Sequence, residues 1–139
     1  MNIKRAFLAM MLVLLTLGSA ACSSQAVVYA DGDQKDQAVA AADPAADDIL
    51  NGMQKSDYEL FHKDFDDTML KGIPEDSFNK MVTQFSTYGA FKSKELINVM
   101  ITSTYYRVNY KLTYENKVLT MGVVIPQSGD VKVSGLWFK

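Results

Sequence analysis

The sequence predicts an α+β fold in which three N-terminal helices pack on a curved four-stranded antiparallel sheet. The main observation is a change in hydrophobic period, because apolar residues follow a helical period before Gly89 and alternate with polar residues after it. Helices and strands that are segregated along a chain are typical of α+β proteins. The second observation is size: 139 residues, 48% of them hydrophobic, suit one small core with accessory segments.

The composition argues against several classes of function. A formal net charge of −2 argues against a nucleic-acid binder. One cysteine and one histidine are too few for an internal disulfide, a cysteine-rich zinc module or a histidine-rich metal site. The sequence has neither a phosphate-binding glycine motif nor the nucleophile elbow of serine hydrolases. We therefore expect no nucleic acid, no metal and no cofactor.

Residues 1–21 are typical of a signal peptide. Lys4 and Arg5 precede an apolar run over residues 6–17, which is shorter than the roughly 20 residues that span a bilayer. Small residues follow at positions 18–21. They are the residue type that signal peptidases require beside the cleavage site.

Cys22, the single cysteine, directly follows these small residues. The segment resembles a bacterial lipoprotein signal, in which Ala20 and Ala21 match the two positions before the acylated cysteine. Ser19 departs from that pattern, since leucine is usual there. We predict a lipid anchor at Cys22, because an exported chain with one unpaired thiol would carry a reactive group. The expected location is the cell membrane or envelope, outside the cytoplasm; the alternative is ordinary cleavage after Ala20 or Ala21 and a secreted protein.

Residues 22–48 are predicted to comprise the anchor cysteine and a flexible acidic tether. The stretch is rich in Ala, Asp, Gln and Ser, and Lys35 is its one basic residue. Large apolar side chains are scarce in it, so little burial offsets the entropy cost of ordering it. Partial helix over residues 38–42 is the alternative, since alanine favours helix. The folded domain is then expected over residues 49–139.

Capping signals and apolar stripes predict the three helices. The pair Asp43–Pro44 predicts the first start, a capping acid followed by proline at the first helical position. The second helix is predicted to Gly72, with Ser56 or Asp57 as its cap, and the third over residues 74–89. The expected buried stripes are, in chain order, Ile49, Leu50 and Met53; Tyr58, Phe61, His62, Phe65 and Met69; and Phe78, Met81, Val82 and Phe85.

Four strands are predicted after Gly89. The first lies within residues 91–102. Residues 105–114 alternate between apolar and polar side chains, which indicates a half-buried strand. Residues 117–125 are apolar on both faces and are therefore expected in the interior of the sheet, and residues 131–138 form the last strand.

Several short stretches resemble a known family. They are Tyr58–Phe61, Pro74–Phe78, Tyr88–Ser93 and Gly135–Phe138. Over residues 48–139 the chain resembles the domain-of-unknown-function 3887 family, which occurs in exported bacterial and archaeal proteins, alone or ahead of an α/β-hydrolase domain. The resemblance implies a cone fold similar to that of nuclear-transport-factor-2-like and cystatin-like proteins. It implies no catalytic residue, because none of these motifs is catalytic.

Aromatic residues and the single histidine supply the candidate pocket. Tyrosine and tryptophan carry an apolar ring with a polar group, so they line pockets as well as cores. His62 falls on an apolar helix face, where it is either a core residue or a general base inside a cavity. Its spacing from Asp66 matches two metal ligands on a helix, but two ligands do not make a zinc site. The candidate pocket residues are Tyr58, His62, Phe65, Tyr106, Tyr110 and Trp137.

The function predicted from these observations is a non-catalytic, membrane-anchored binding module. Its expected ligand is a small molecule, a peptide or another envelope protein. The alternative is a small cone-fold enzyme, an isomerase or a hydrolase, that uses His62 in the cavity. A third hypothesis is a structural module that forms a homodimer through its sheet.

Overall fold

The computed structural model describes residues 27–139, so the predicted signal peptide over residues 1–21 and the predicted anchor Cys22 lie outside the described residues. The chain is α+β, with helices packed against an open antiparallel sheet, as predicted. The prediction of three helices and four strands is wrong in number, because the described residues form four helices and five strands. They are, in chain order, β1 (Val28–Tyr29), α1 (Gly32–Lys55), α2 (Tyr58–His62), α3 (Asp67–Gly72), α4 (Glu75–Ser86), β2 (Phe91–Ile101), β3 (Tyr105–Tyr114), β4 (Val118–Pro126) and β5 (Gly135–Phe138).

The five strands lie in the order of the chain, each antiparallel to the next. The alternation predicted in β3 is present, since Val108, Tyr110 and Leu112 are buried against the helices. β4 lies between β3 and β5, in the interior of the sheet, as its apolar composition predicted. β1 was not predicted, because its two residues pair with Met100 and Ile101, far along the chain.

α1 begins at Gly32, well before the predicted start at Asp43–Pro44, and Pro44 lies inside it. Residues 32–48, predicted as part of a flexible tether, form most of this helix instead. The reason is a stripe of small residues at helical spacing, all buried against the core: Ala38, Ala42, Ala45 and Ala46. Alanine costs no side-chain entropy in a helix and lets the backbone approach closely, so this stripe orders the segment without large apolar side chains.

The second predicted helix is divided into α2 and α3. Between them Phe65 forms a parallel bridge with Val133, and the Asp66 amide donates to the Val133 carbonyl at 3.0 Å. The Asp66 carboxylate then caps α3 by accepting from the Met69 amide at 2.8 Å. His62 ends α2 and Asp66 caps α3, so these two residues do not share one helix face as the spacing predicted.

The sheet has two ends, and we call the end that holds β1, the first described strand, the proximal end and the opposite one the distal end. The proximal end holds β1, the β2–β3 turn over residues 102–104 and the β4–β5 loop over residues 127–134. The distal end holds the first residues of β2 and the β3–β4 turn over residues 115–117. In the part of the chain that the structure describes, no helix is long and apolar enough to cross a bilayer.

Candidate functional site

The helices and the sheet leave a groove between them at the distal end, which we call the interlayer groove. Its volume is about 400 Å³. The last turn of α1 and the second half of α4 form one wall, and the start of β2 and the end of β3 form the other. The lining residues are Met53, Gln54, Ser56, Val82, Phe85, Ser86, Gly89, Ala90, Phe91 and Tyr114.

A tight connection between α4 and β2 shapes the mouth of the groove. Gly89 has a φ of +80°, a left-handed backbone that favours glycine, and a Cβ there would lie 2.8 Å from the Glu115 side chain. The Asn116 amide donates to the Tyr88 carbonyl at 2.9 Å, and the Glu115 amide donates to the Ala90 carbonyl at 2.9 Å. These bonds fix the α4–β2 connection, which carries Gly89 and Ala90 of the groove lining, to the β3–β4 turn.

Five aromatic rings in mutual contact, which we call the aromatic cluster, lie at this groove: Phe85, Tyr88, Phe91, Tyr114 and Phe138. Phe85, Phe91 and Tyr114 line the groove. The ring centroids of Phe85 lie 5.8 Å from Tyr114 and 4.9 Å from Phe138, both in edge-to-face geometry. Such contacts hold the rings in one arrangement. Burial, and then the neighbouring Tyr88, raise the pKa of Tyr114 to about 12. The Tyr114 hydroxyl therefore keeps its proton at neutral pH.

A second groove, of about 520 Å³, lies on the other side of Phe85. α4 and the edge of the sheet at β4 and β5 enclose it, and Lys117 and Lys139 also line it. Trp137 lines this groove as well. Among the predicted pocket residues, Trp137 is thus the one placed near the aromatic cluster.

The structure does not bring the six predicted pocket residues together. Trp137 is in register with Gly122 and Asn109 on the open face of the sheet, whereas Tyr110 points from the opposite face into the core. Tyr106 lies in register with Ile101 and Ile125 at the proximal end. Neighbouring residues of a strand point to opposite faces of the sheet, so the alternation in the sequence already predicts that not all of these side chains share one face.

Phe65 lies at the proximal end. It is buried, and its ring centroid is 5.1 Å from that of Phe61. It lines a third groove, of about 480 Å³, whose other residues include Tyr105, Asp130 and Lys132. This proximal groove carries charges of both signs, which distinguishes it from the interlayer groove.

Tyr58 and His62 form a separate pair on α2. Their ring centroids are 4.3 Å apart, and the Tyr58 hydroxyl donates to the Ile73 carbonyl at 2.9 Å. Nε2 of His62 lies 3.7 Å from the carboxylate of Glu59, which is exposed to solvent. Nδ1 of His62 is buried and has no hydrogen-bond partner among the described residues. His62 lines none of the three grooves.

A charged cluster that the sequence reasoning missed joins α1 to the sheet. The Lys94 ammonium lies 2.9 Å from Asp43 Oδ1, 2.7 Å from Asp47 Oδ1 and 4.8 Å above the centre of the Tyr110 ring. Asp43 and Asp47 are four residues apart, so they lie on one face of α1. The sequence analysis missed this pair because it assigned both residues to a flexible tether.

The proton equilibria of this cluster follow from its geometry. Although partial burial acts in the opposite direction, the hydrogen bond from Lys94 keeps the pKa of Asp43 below its usual value. The Tyr110 hydroxyl is buried and lies outside hydrogen-bond geometry with the described residues. Its burial, and then the nearby Asp43 carboxylate, raise the pKa of Tyr110. At neutral pH the Asp43 side chain is therefore a carboxylate and the Tyr110 side chain a protonated phenol. The ion pairs of Lys94 with Asp43 and Asp47 hold α1 on β2.

Metal ligands are not grouped over residues 27–139, where no three His, Cys, Asp or Glu side chains are placed to hold an ion.

Comparison with known protein families gives a match over most of the described chain. A family model described as a protein of unknown function (DUF3887) matches residues 46–136. These residues run from the second half of α1 into β5 and include the whole interlayer groove. No curated protein and no solved structure matches the chain.

Proposed function

Because the chain belongs to the DUF3887 family, whose function is unknown, we propose a function from the described geometry: a non-catalytic binding module held outside the cytoplasm by a lipid anchor at Cys22. The proposed ligand site is the interlayer groove. The proposed fold is the cone class of nuclear-transport-factor-2-like and cystatin-like proteins, which is supported by helices on one face of an antiparallel sheet.

The chemistry of the interlayer groove is the observation that carries this proposal. Its lining consists of apolar and aromatic side chains, the Ser56 and Ser86 hydroxyls, the Gln54 amide and the Tyr114 phenol. Apolar walls with a few polar groups are typical of sites that bind small molecules. With a pKa of about 12, the Tyr114 hydroxyl is a hydrogen-bond donor at neutral pH and a poor general base.

The size and walls of the groove indicate the kind of ligand. A volume of about 400 Å³ admits a small molecule or one large side chain of a peptide. The ring faces and edges of Phe85 and Phe91 favour an apolar or aromatic group. A hydrogen-bond acceptor on that group would pair with Tyr114. The proposed ligand is therefore a small apolar molecule, or an apolar side chain of an envelope peptide or protein, with one acceptor.

The experiment that tests the site is a nuclear magnetic resonance titration with small aromatic probes such as indole and 4-methylphenol. We expect the largest amide shifts at Gly89, Ala90 and Phe91. Ala90→Phe fills the mouth of the interlayer groove and should weaken probe binding at least tenfold. Thr68→Phe in the proximal groove is the matched control and should leave the affinity unchanged. Binding that Ala90→Phe does not weaken, or shifts centred on His62, would contradict the proposed site.

The anchor is tested separately in cells. Full-length chain grown with a clickable fatty acid should be labelled and should sediment with membranes, whereas Cys22→Ala should be unlabelled. The reason is that Cys22 is the single thiol and directly follows the small residues of the signal segment. An unlabelled, soluble wild-type protein would overturn the anchor and leave the groove proposal standing.

A further inference from the structure

We propose that the proximal end of the domain rests on the bilayer that holds the lipid anchor, through exposed apolar side chains. The inference rests on the anchor proposed above and concerns how the domain is oriented on it. The occupant of this surface is the lipid of the membrane itself.

The exposed apolar side chains of the described residues are concentrated at one end. We call the proximal patch the five of them that lie there: Val27, Val28, Tyr29, Tyr105 and Val131. Their exposed fractions range from 42% to 57%. At the distal end, Val118 is equally exposed, at 58%, and Leu96 and Ile97 lie midway along β2.

Sheet register and turn contacts bring the members of the proximal patch together. Val28 pairs with Ile101 at the end of β2, and Tyr105 follows the β2–β3 turn. The Gln127 amide donates to the Thr104 carbonyl at 3.0 Å, which joins that turn to the loop that carries Val131. Three separate stretches of chain therefore present apolar side chains at one end of the sheet.

The position of the proposed anchor selects the occupant. Val27 is five residues after Cys22, and a chain of this length reaches at most about 20 Å even when fully extended. Val27, at the start of the patch, is thus held within about 20 Å of the anchored cysteine. The bilayer is close to the patch in every anchored copy of the protein, so a soluble partner would have to compete with it for the patch.

The charges near the patch indicate how it binds. Lys132 and the exposed Arg107 are basic, but Asp130 lies in the same loop as Lys132. Asp31 and Asp33 lie within four residues of the end of β1. These charges give no basic excess, so attraction to anionic lipid is not the source of binding. We expect contact through apolar and aromatic side chains at the interface, where tyrosine is favoured, with little dependence on salt.

Anchoring makes a weak contact sufficient. Five partly exposed side chains bury little area, so the free domain should not bind vesicles measurably. A short tether turns the contact into an intramolecular event with an effective concentration of about millimolar. The patch is then occupied in the anchored protein and unoccupied in the untethered one.

The experiment places a photoreactive phenylalanine analogue at Tyr29 or Tyr105, with Val118 as the matched control at the distal end. The chain over residues 22–139 is coupled through the Cys22 thiol to a maleimide lipid in phosphatidylcholine vesicles that contain a clickable acyl lipid. We expect lipid cross-linking at positions 29 and 105 to exceed that at 118 at least fivefold. Val131→Asp should lower cross-linking at 29 at least threefold, while Val118→Asp should not change it.

Cross-linking yields within twofold of each other at all three positions would overturn the inference, because they would mean that the domain tumbles freely on its tether. So would a yield that disappears in high salt. The chemical coupling replaces acylation in cells, so this result is independent of the fatty-acid labelling. Selective cross-linking of a chain that cells do not acylate would overturn the anchor, and with it the orientation in cells, although the coupled protein would still show lipid contact at the proximal patch.

Discussion

Gly122 is the residue on which the open face of the sheet depends. It lies in register between Asn109 and Trp137, and a Cβ at this position would overlap the indole ring of Trp137. The ring therefore lies flat across β4, with the Arg107 guanidinium 5.8 Å from its centre. Asn109 is buried, although its side chain lies on the face of the sheet that points away from the helices. Its amide donates a hydrogen bond to Asn98 Oδ1 at 2.7 Å.

Replacing Gly122 should destabilise the fold through overpacking. We expect Gly122→Ala to lower the free energy of unfolding by about 1–3 kcal/mol, measured by urea unfolding, because the Trp137 ring must move off the strand. Gly72→Ala is the matched control, since a Cβ at Gly72 has nothing within 4 Å. Trp137→Val should recover part of the loss in the Gly122→Ala background. Equal stability of the two alanine variants would show that the indole has room to shift.

The two buried tyrosines should make the fold sensitive to alkaline pH. The folded pKa of Tyr114 is about 12, and that of Tyr110 is also raised, whereas an unfolded tyrosine titrates near about 10. The folded state keeps these protons longer, so their contribution to stability is full below about pH 10 and is lost as the pH rises towards 12. The free energy of unfolding should therefore fall as the pH rises from about 10 towards 12.

Absorbance of tyrosinate, followed together with unfolding, checks this prediction. Tyr114→Phe should reduce the alkaline loss of stability, while Tyr105→Phe, at an exposed position, should leave it in place. If the buried and exposed variants lose stability equally between pH 10 and 12, the burial of Tyr114 does not control the transition.

At the scale of elements, α1 shows what the hydrophobic pattern could not predict. The period-two strand at 105–114 and the end of a helix at Gly72 were predicted correctly, because alternating apolar residues and a glycine mark them in the sequence. The part of α1 before Ile49 is buried through alanines, and alanines at this spacing occur in disordered linkers as well as in packed helices. The break between α2 and α3 depends on Val133, a partner far along the chain that no local pattern reveals.

Truncation tests how much of α1 belongs to the folded domain. A chain that starts at Pro44 loses β1, the buried Ala30, Ala38 and Ala42, and the contact of Asp43 with Lys94. We expect it to be less stable by more than about 2 kcal/mol than a chain that starts at Val27, measured by thermal or urea unfolding. A chain that starts at Gly32 lacks only β1 and its connection to α1, so its stability should fall by less. Unchanged stability of the Pro44 chain would mean that the first half of α1 contributes little to the fold.

At the scale of the whole molecule, the proposed activities divide between the two ends of the sheet. The interlayer groove and its aromatic cluster lie at the distal end, and the proximal patch lies at the end nearest to the proposed anchor in the chain. The sequence could predict the α+β class, because helical and strand periods are segregated. It could not predict the groove, because Met53, Phe85 and Tyr114 come from three elements that meet only in the folded chain. Among the predicted pocket residues, Trp137 came nearest, since it lines the neighbouring groove.

The alanine stripe of α1 also bears on how the protein is made. Synthesis proceeds from the N-terminus, so α1 is complete before any of the strands on which it packs exists. If large apolar side chains were exposed on all of this helix during that interval, the nascent chain would be prone to aggregate. Alanines expose little apolar area before the strands are made. They still permit close packing once β2, β3 and β4 have formed their local hairpins. The alanine-rich first half of α1 is therefore well suited to pack late on strands that are made after it.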